Sequence, residues 1–199
     1  MRNPLMQTLI IPPMLQWIAL AELLLCWILW SLAFLKPRMQ AADRIEVAKS
    51  PSSKWGILLV MISFALVWAY VRPVGFHKSA PSLIASMLLA PPSVALVWVA
   101  ARRLGKQWRY AAALREDHEL IQTGAYRRLR HPIYASMLGM ELATGFCWTW
   151  WPLFLASILF FLAGTEIRIR AEERLLESRF QDSFRAYRSR TRAYIPFVR

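Results

Sequence analysis

The residues best suited to chemistry in this chain are crowded into two short stretches. The first, TGAYRRLRHPIYASMLGME at 123–141, sets Arg127, Arg128, Arg130 and His131 directly before a proline and an apolar run that carries Glu141. Pro is tolerated at the first helical position and biases the residue before it away from helix. His131-Pro132 therefore reads as a helix start, and Thr123-Gly124 as a turn. His131 then stands beside unsatisfied backbone N–H groups and the positive end of the helix dipole. With Arg128 and Arg130 close by, that spot suits an anion such as a carboxylate or phosphate. Tyr134, Leu138, Glu141 and Gly145 recur at helical spacing and share one face. A carboxyl one or two turns into an apolar helix is costly unless it faces a polar cavity or a partner.

The second stretch, TEIRIRAEERLLESRF at 165–180, pairs Arg168 with Glu172 and Glu166 with Arg170. Each pair is four residues apart and lies on one helical face. Taken alone, such pairs are exposed ion pairs worth about 0.2–0.5 kcal/mol. Their placement gives them more interest. If the two apolar runs that flank WTWWP form an antiparallel hairpin, His131 and Tyr134 come level with Arg168 and Glu172. An anion site, an aromatic ring, a carboxylate and an open lipid flank then converge. That combination suits a charged or zwitterionic cofactor reacting with a lipid-soluble substrate.

The elements that must position these residues are apolar on every side. Of the 199 residues 57% are hydrophobic, ten are Trp, and mean hydropathy is +0.32. Pro13–Leu35 holds a single charge, Glu22, while Trp55–Val71 and Ser79–Ala101 hold none. Ile133–Cys147 and Pro152–Thr165 are shorter. A soluble core helix would be amphipathic, and runs of this length approach what a ~30 Å hydrocarbon layer requires. The expected fold is all-α, a polytopic membrane protein with five transmembrane helices, a cytoplasmic loop and a C-terminal helical tail. Pro91-Pro92 is expected to kink the third helix. Residues 1–101 form three nearly featureless spans, and 102–199 hold most of the ionisable groups, so any chemistry is expected in the second part.

The formal charge of +13 is unevenly spread. Segments 36–54 and 102–130 and the C-terminal 168–199 are rich in Lys and Arg, whereas 72–78 has only Arg72 and Lys78. Positive loops stay cytoplasmic. The resulting expectation is an N-terminus outside, a C-terminus in the cytoplasm, and Trp148, Trp150 and Trp151 at the outer interface. The basic loops also favour membrane lipids with anionic headgroups; no recognition motif supports nucleic acid. The first apolar run is followed by KPR rather than a small-residue cleavage site, which argues against a signal peptide. Cys26 and Cys147 both lie in apolar runs, with no CxxC and three histidines in all, so neither a disulfide framework nor a metal site is expected. There is no GxGxxG, P-loop, HExxH or GxSxG.

DHELIQTGAYRRLRHPIY, followed by RIRAEERLLESRFQDSFRAYRSRTRAYIPF, resembles the isoprenylcysteine carboxyl methyltransferase family, which is related to the membrane phospholipid methyltransferases. The resemblance covers the C-terminal half. It implies an integral-membrane methyltransferase using S-adenosyl-L-methionine, with the cofactor reached from the cytosol and a lipophilic or lipidated acceptor entering from the bilayer. By position it implies cofactor contacts at His118, Glu119, Leu120, Ile121, Tyr126, His131, Pro132, Ile133, Tyr134 and Glu172. Arg168 matches the arginine that holds the substrate carboxylate. Phe180, Phe184, Tyr187 and Ile195-Pro196-Phe197 match the family's closing tail. Gln122 stands where Thr is usual, Ala135-Ser136 where a glycine-containing pair is common, and Arg170-Ala171 shortens the acidic run.

Two acceptor classes predict different essential residues. A carboxylate is ionised at neutral pH and needs only orientation, by Arg168. An amine must first lose a proton, with Glu141 or Glu172 as base. An NADPH-dependent sterol-reductase-like protein and a non-catalytic membrane scaffold are the remaining alternatives. The compact loops and the N-terminus without a signal peptide point to a prokaryotic inner membrane.

Overall fold

The computed structural model describes residues 13–35, 48–49, 53–69, 77–105, 113–114 and 119–194. Among them are five long helices: α1 (Pro13–Leu32), α2 (Ser53–Trp68), α3 (Ala80–Leu104), α4 (Pro132–Cys147) and α5 (Trp151–Arg190). A 3-10 turn, Gly124–Arg127, precedes α4. Two-residue segments, Ala48–Lys49 and Ala113–Leu114, pair antiparallel. The all-α expectation holds. Three helices, at Met14–Leu32, Ala80–Leu104 and Trp151–Arg190, are long and apolar enough to cross a membrane. At 16 residues each, α2 and α4 rise about 24 Å, short of the ~30 Å hydrocarbon core.

The helix surfaces invert the soluble pattern. Large apolar side chains such as Trp17, Met61, Leu88 and Leu159 are two-thirds or more exposed, or nearly so, at 69, 65, 70 and 69%. The buried stripe of α2 is instead Ser53, Gly56, Val60, Ser63 and Val67. Where lipid is as apolar as leucine, helices associate through close packing of small residues and interhelical hydrogen bonds rather than through large apolar side chains.

Gly56 and Gly164 bring α2 and α5 together so closely that a Cβ on either would fall 2.7 Å from the other's carbonyl oxygen. Gly139 admits the Ser93 hydroxyl between α4 and α3. Trp27 and Trp30 of α1 donate to Thr144 (3.0 Å) and Ser136 (3.2 Å) of α4.

Pro91 and Pro92 lie inside α3, which runs through them as one helix, and Ser93 Oγ donates to the Leu89 carbonyl across that turn. Fixed proline φ suits a helix, so the cost is confined to lost N–H donors and ring crowding. Consecutive α4 and α5 do meet, through Phe146 against Phe154 at their connection and Tyr134 against Ile169 at the other end. Along its length, however, α5 lies mainly against α2, and α4 against α3.

At Gln181, α5 breaks helical geometry (φ 41°, ψ −116°). The chain beyond it returns to the start of α4. Arg130 N–H donates to the Arg192 carbonyl (2.7 Å) and His131 N–H to the Ala193 carbonyl (2.8 Å).

Candidate active site

His131 caps α4, which begins at Pro132 as the sequence indicates. Its ring is buried between two carboxylates: Nδ1 lies 3.4 Å from Glu172 Oε2, and Nε2 lies 3.3 Å from Glu173 Oε1. Adjacent glutamates on α5 thus take one nitrogen each. Burial disfavours the imidazolium, but the two carboxylates more than offset it and raise the His131 pKa above its ordinary value.

Glu173 also accepts from Arg130 Nε at 2.8 Å and lies 3.6 Å from Arg188 Nε. Arg130 donates in turn to the Thr191 carbonyl and, at 3.2 Å, to that of Arg188. The second glutamate therefore ties α4, α5 and the returning tail together. Tyr187 completes the tie by donating to the Tyr126 carbonyl (2.6 Å).

Glu172 has different company. Tyr134 donates its hydroxyl proton to Glu172 Oε1 and accepts from Arg168 Nε at 2.7 Å. Arg168 Nη2 is 3.8 Å from the same carboxylate oxygen, as the four-residue spacing predicts. The Glu172 side chain keeps 26% of its surface against 6% for Glu173. One carboxylate is locked into structure, and its neighbour is open to a ligand. Tyr126 is buried with its phenol pKa pushed up by that burial and by the nearby Glu172 charge.

Glu141 lies two turns further along the Tyr134 face of α4 and is fully buried. Ser63 Oγ of α2 donates to its Oε1 at 2.5 Å. Its Oε2 has no hydrogen-bond partner among the described residues. Ile133 flanks the site, with its carbonyl accepting from Ser136 Oγ at 2.8 Å. Glu119 is exposed, and Leu120 and Ile121 half-buried, in the irregular segment before the turn. Among the described residues these three take no part in the carboxylate cluster. His118 and Ile195-Pro196-Phe197 lie outside the described residues. Glu166 and Arg170 form the outward pair, 2.6 Å apart. No group of three potential metal ligands occurs among the described residues.

The sequence reading did not single out Glu173 or Ser63. Their signals are faint: an acid doubled beside Glu172, and one hydroxyl in an apolar run.

The sequence model of the isoprenylcysteine carboxyl methyltransferase (ICMT) family matches residues 83–178. That stretch belongs to the ICMT family. The match spans most of α3, the turn, α4 and α5 through Glu172 and Glu173, so Arg130, His131, Tyr134, Arg168 and both glutamates fall inside it, and Tyr187 and Arg188 outside. That match supports a membrane methyltransferase as the coarse class. No curated protein matches the sequence.

Proposed function

We propose that the chain is an S-adenosylmethionine-dependent membrane methyltransferase that esterifies the carboxylate of a lipophilic, prenylcysteine-like acceptor drawn from the bilayer. The observation that carries this reading is the line Arg168–Tyr134–Glu172, which sets a cation and an accessible carboxylate on either side of one buried hydroxyl. The donor set fits the cofactor. Glu172, the more open of the two glutamates, suits the cationic side of a sulfonium amino acid, and Tyr126 and Tyr134 offer aromatic faces. Glu119, Leu120, Ile121 and the His131–Ile133 corner complete the cofactor wall in this reading, together with His118.

When bound, the cofactor supplies an electrophilic methyl group. The residues then have little covalent chemistry to do. Arg168 holds the acceptor carboxylate by paired N–H donors, and burial excludes water. An acceptor carboxylate held there would already be ionised and would ask no proton transfer of these residues. No proton moves, so alignment carries the rate. The charge distribution supports five crossings with an external N-terminus and a cytoplasmic C-terminus.

One observation favours a second reading, methylation of a lipid amine. Glu141 is a buried carboxyl whose Oε2 makes no hydrogen bond among the described residues, as a base awaiting a proton would be.

Calorimetric titration of S-adenosylhomocysteine into detergent-solubilised protein tests the cofactor. Micromolar binding by wild type, lost in Glu172→Ala and weakened in His131→Ala, is the expected result. Absence of binding by folded wild type, with binding of NADPH instead, would overturn it. Methyl transfer to N-acetyl-S-farnesylcysteine or to phosphatidylethanolamine then separates the two acceptor classes.

A further inference from the structure

We infer that Gly56 of α2 is a positioning residue for Arg168: the missing side chain at 56 forms the slot that holds the arginine stem, and so aims its guanidinium at Tyr134 and Glu172. The inference rests on the methyl-transfer reading for what the arginine does. It also lies outside the stretch matched by the family, on a helix of the N-terminal half.

The geometry is direct. A Cβ built on Gly56 falls 2.6 Å from Arg168 Cγ, 2.7 Å from Gly164 O and 3.3 Å from Arg168 N. Non-bonded carbons rest about 3.5–4.0 Å apart, so a methyl group and this arginine rotamer cannot coexist. From that slot Arg168 Nε reaches the Tyr134 hydroxyl at 2.7 Å, and Cζ sits 5.5 Å from the Tyr134 ring centroid. Tyr134 is buried, as is Ile169 beside it, so the ring has no room to follow a displaced guanidinium. Side-chain torsions occupy discrete wells. A stem pushed off its position therefore moves the charged head to another well rather than by a small amount.

Gly164 separates this role from helix spacing. It is the reciprocal glycine on α5, and a Cβ there meets Gly56 O at 2.7 Å, Leu59 Cβ at 2.9 Å and Val60 N at 2.9 Å. The three nearest atoms at Gly164 include none of Arg168. Both glycines set how closely α2 and α5 approach, and the arginine stem is against Gly56.

The test is a pair of double-mutant cycles read by thermal unfolding in detergent: Gly56→Ala with Arg168→Ala, and Gly164→Ala with Arg168→Ala. Gly56→Ala is expected to lower Tm by roughly 5 °C or more, with part recovered when Arg168→Ala removes the stem and the rest retained by the Gly164 carbonyl. Gly164→Ala is expected to lose as much, with no recovery. If Gly56→Ala does not fold, folding of the double variant supports the slot, and failure of both overturns it. Additivity in both cycles also overturns it.

In the folded Gly56→Ala protein, kcat/KM for N-acetyl-S-farnesylcysteine should fall about 10²-fold, more than S-adenosylhomocysteine affinity does. That fall should appear chiefly in the acceptor KM. An unchanged acceptor KM overturns the positioning role even if the cycle shows coupling. Wild type that binds S-adenosylhomocysteine yet methylates no carboxylate sinks the acceptor reading instead, and the Gly56 cycle is then decided by stability alone.

Discussion

His131 holds two acids at once, and that makes the site sensitive to alkali. Its folded pKa lies above the ordinary 6.5 because the Glu172 and Glu173 carboxylates outweigh burial. Arg130 and Arg188 face Glu173, and Arg168 and Tyr134 face Glu172. A group whose folded pKa is raised contributes stability that is complete below its unfolded pKa of about 6.5 and is lost as pH rises through the folded value. Wild type should therefore lose Tm as pH rises above about 6.5, and His131→Asn should lose less over the same rise. Parallel curves would remove His131 from that role. Glu141 separates the two acceptor classes. Glu141→Gln should leave carboxylate methylation within about twofold, whereas an amine-methylating enzyme would lose about 10²–10⁴-fold. At this scale His131, Tyr134, Arg168 and Glu172 were legible, since a proline-marked helix start and a four-residue repeat fix their local geometry. Glu173 was not, because only the third dimension tells which of two adjacent acids is enclosed.

The same limit governs the elements. Five apolar runs announced five helices, the first four to within a few residues, because a lone run of that length satisfies its own backbone in lipid as helix. Which helices would touch was hidden, since large apolar side chains say nothing about contacts when they face lipid. The informative residues were the small ones, Gly56, Ser63, Gly139 and Gly164, whose value lies in what approaches them. The apolar run stops near Thr165, but the charged continuation, read from its four-residue pairs as helical, stays so to Gln181 and resumes beyond it. Gln181 holds a positive φ with no glycine to ease it, a conformation costing about 1–3 kcal/mol. That break lets the tail return to His131. Gln181→Gly should therefore raise Tm by a few degrees, measured by scanning calorimetry in detergent. A fall in Tm would mean that the glutamine side chain contributes more than its backbone costs.

At the scale of the whole molecule, composition declared a membrane protein, and charge asymmetry gives it an orientation to test. His77 and Lys78 connect α2 to α3. His77 is exposed, whereas Lys78 is buried, donating to the Gly145 carbonyl at 2.6 Å and lying 4.7 Å over the Trp151 ring. Lys78 thus sits at the C-terminal end of α4, where a cation is favoured by the helix dipole, and its charge is masked from the loop count. Among the described residues that leaves this end of the bundle poor in exposed positive charge and rich in Trp, as an outer interface is. The opposite end carries the His131–Glu172–Glu173 cluster and the basic tail, which fits a cofactor arriving from the cytosol. Both native cysteines are buried, so single introduced cysteines can be read against a quiet background. In intact cells a membrane-impermeant maleimide should label His77→Cys and spare Arg190→Cys until the membrane is opened. Labelling of Arg190→Cys in intact cells would invert the orientation, and with it the side from which the cofactor must come.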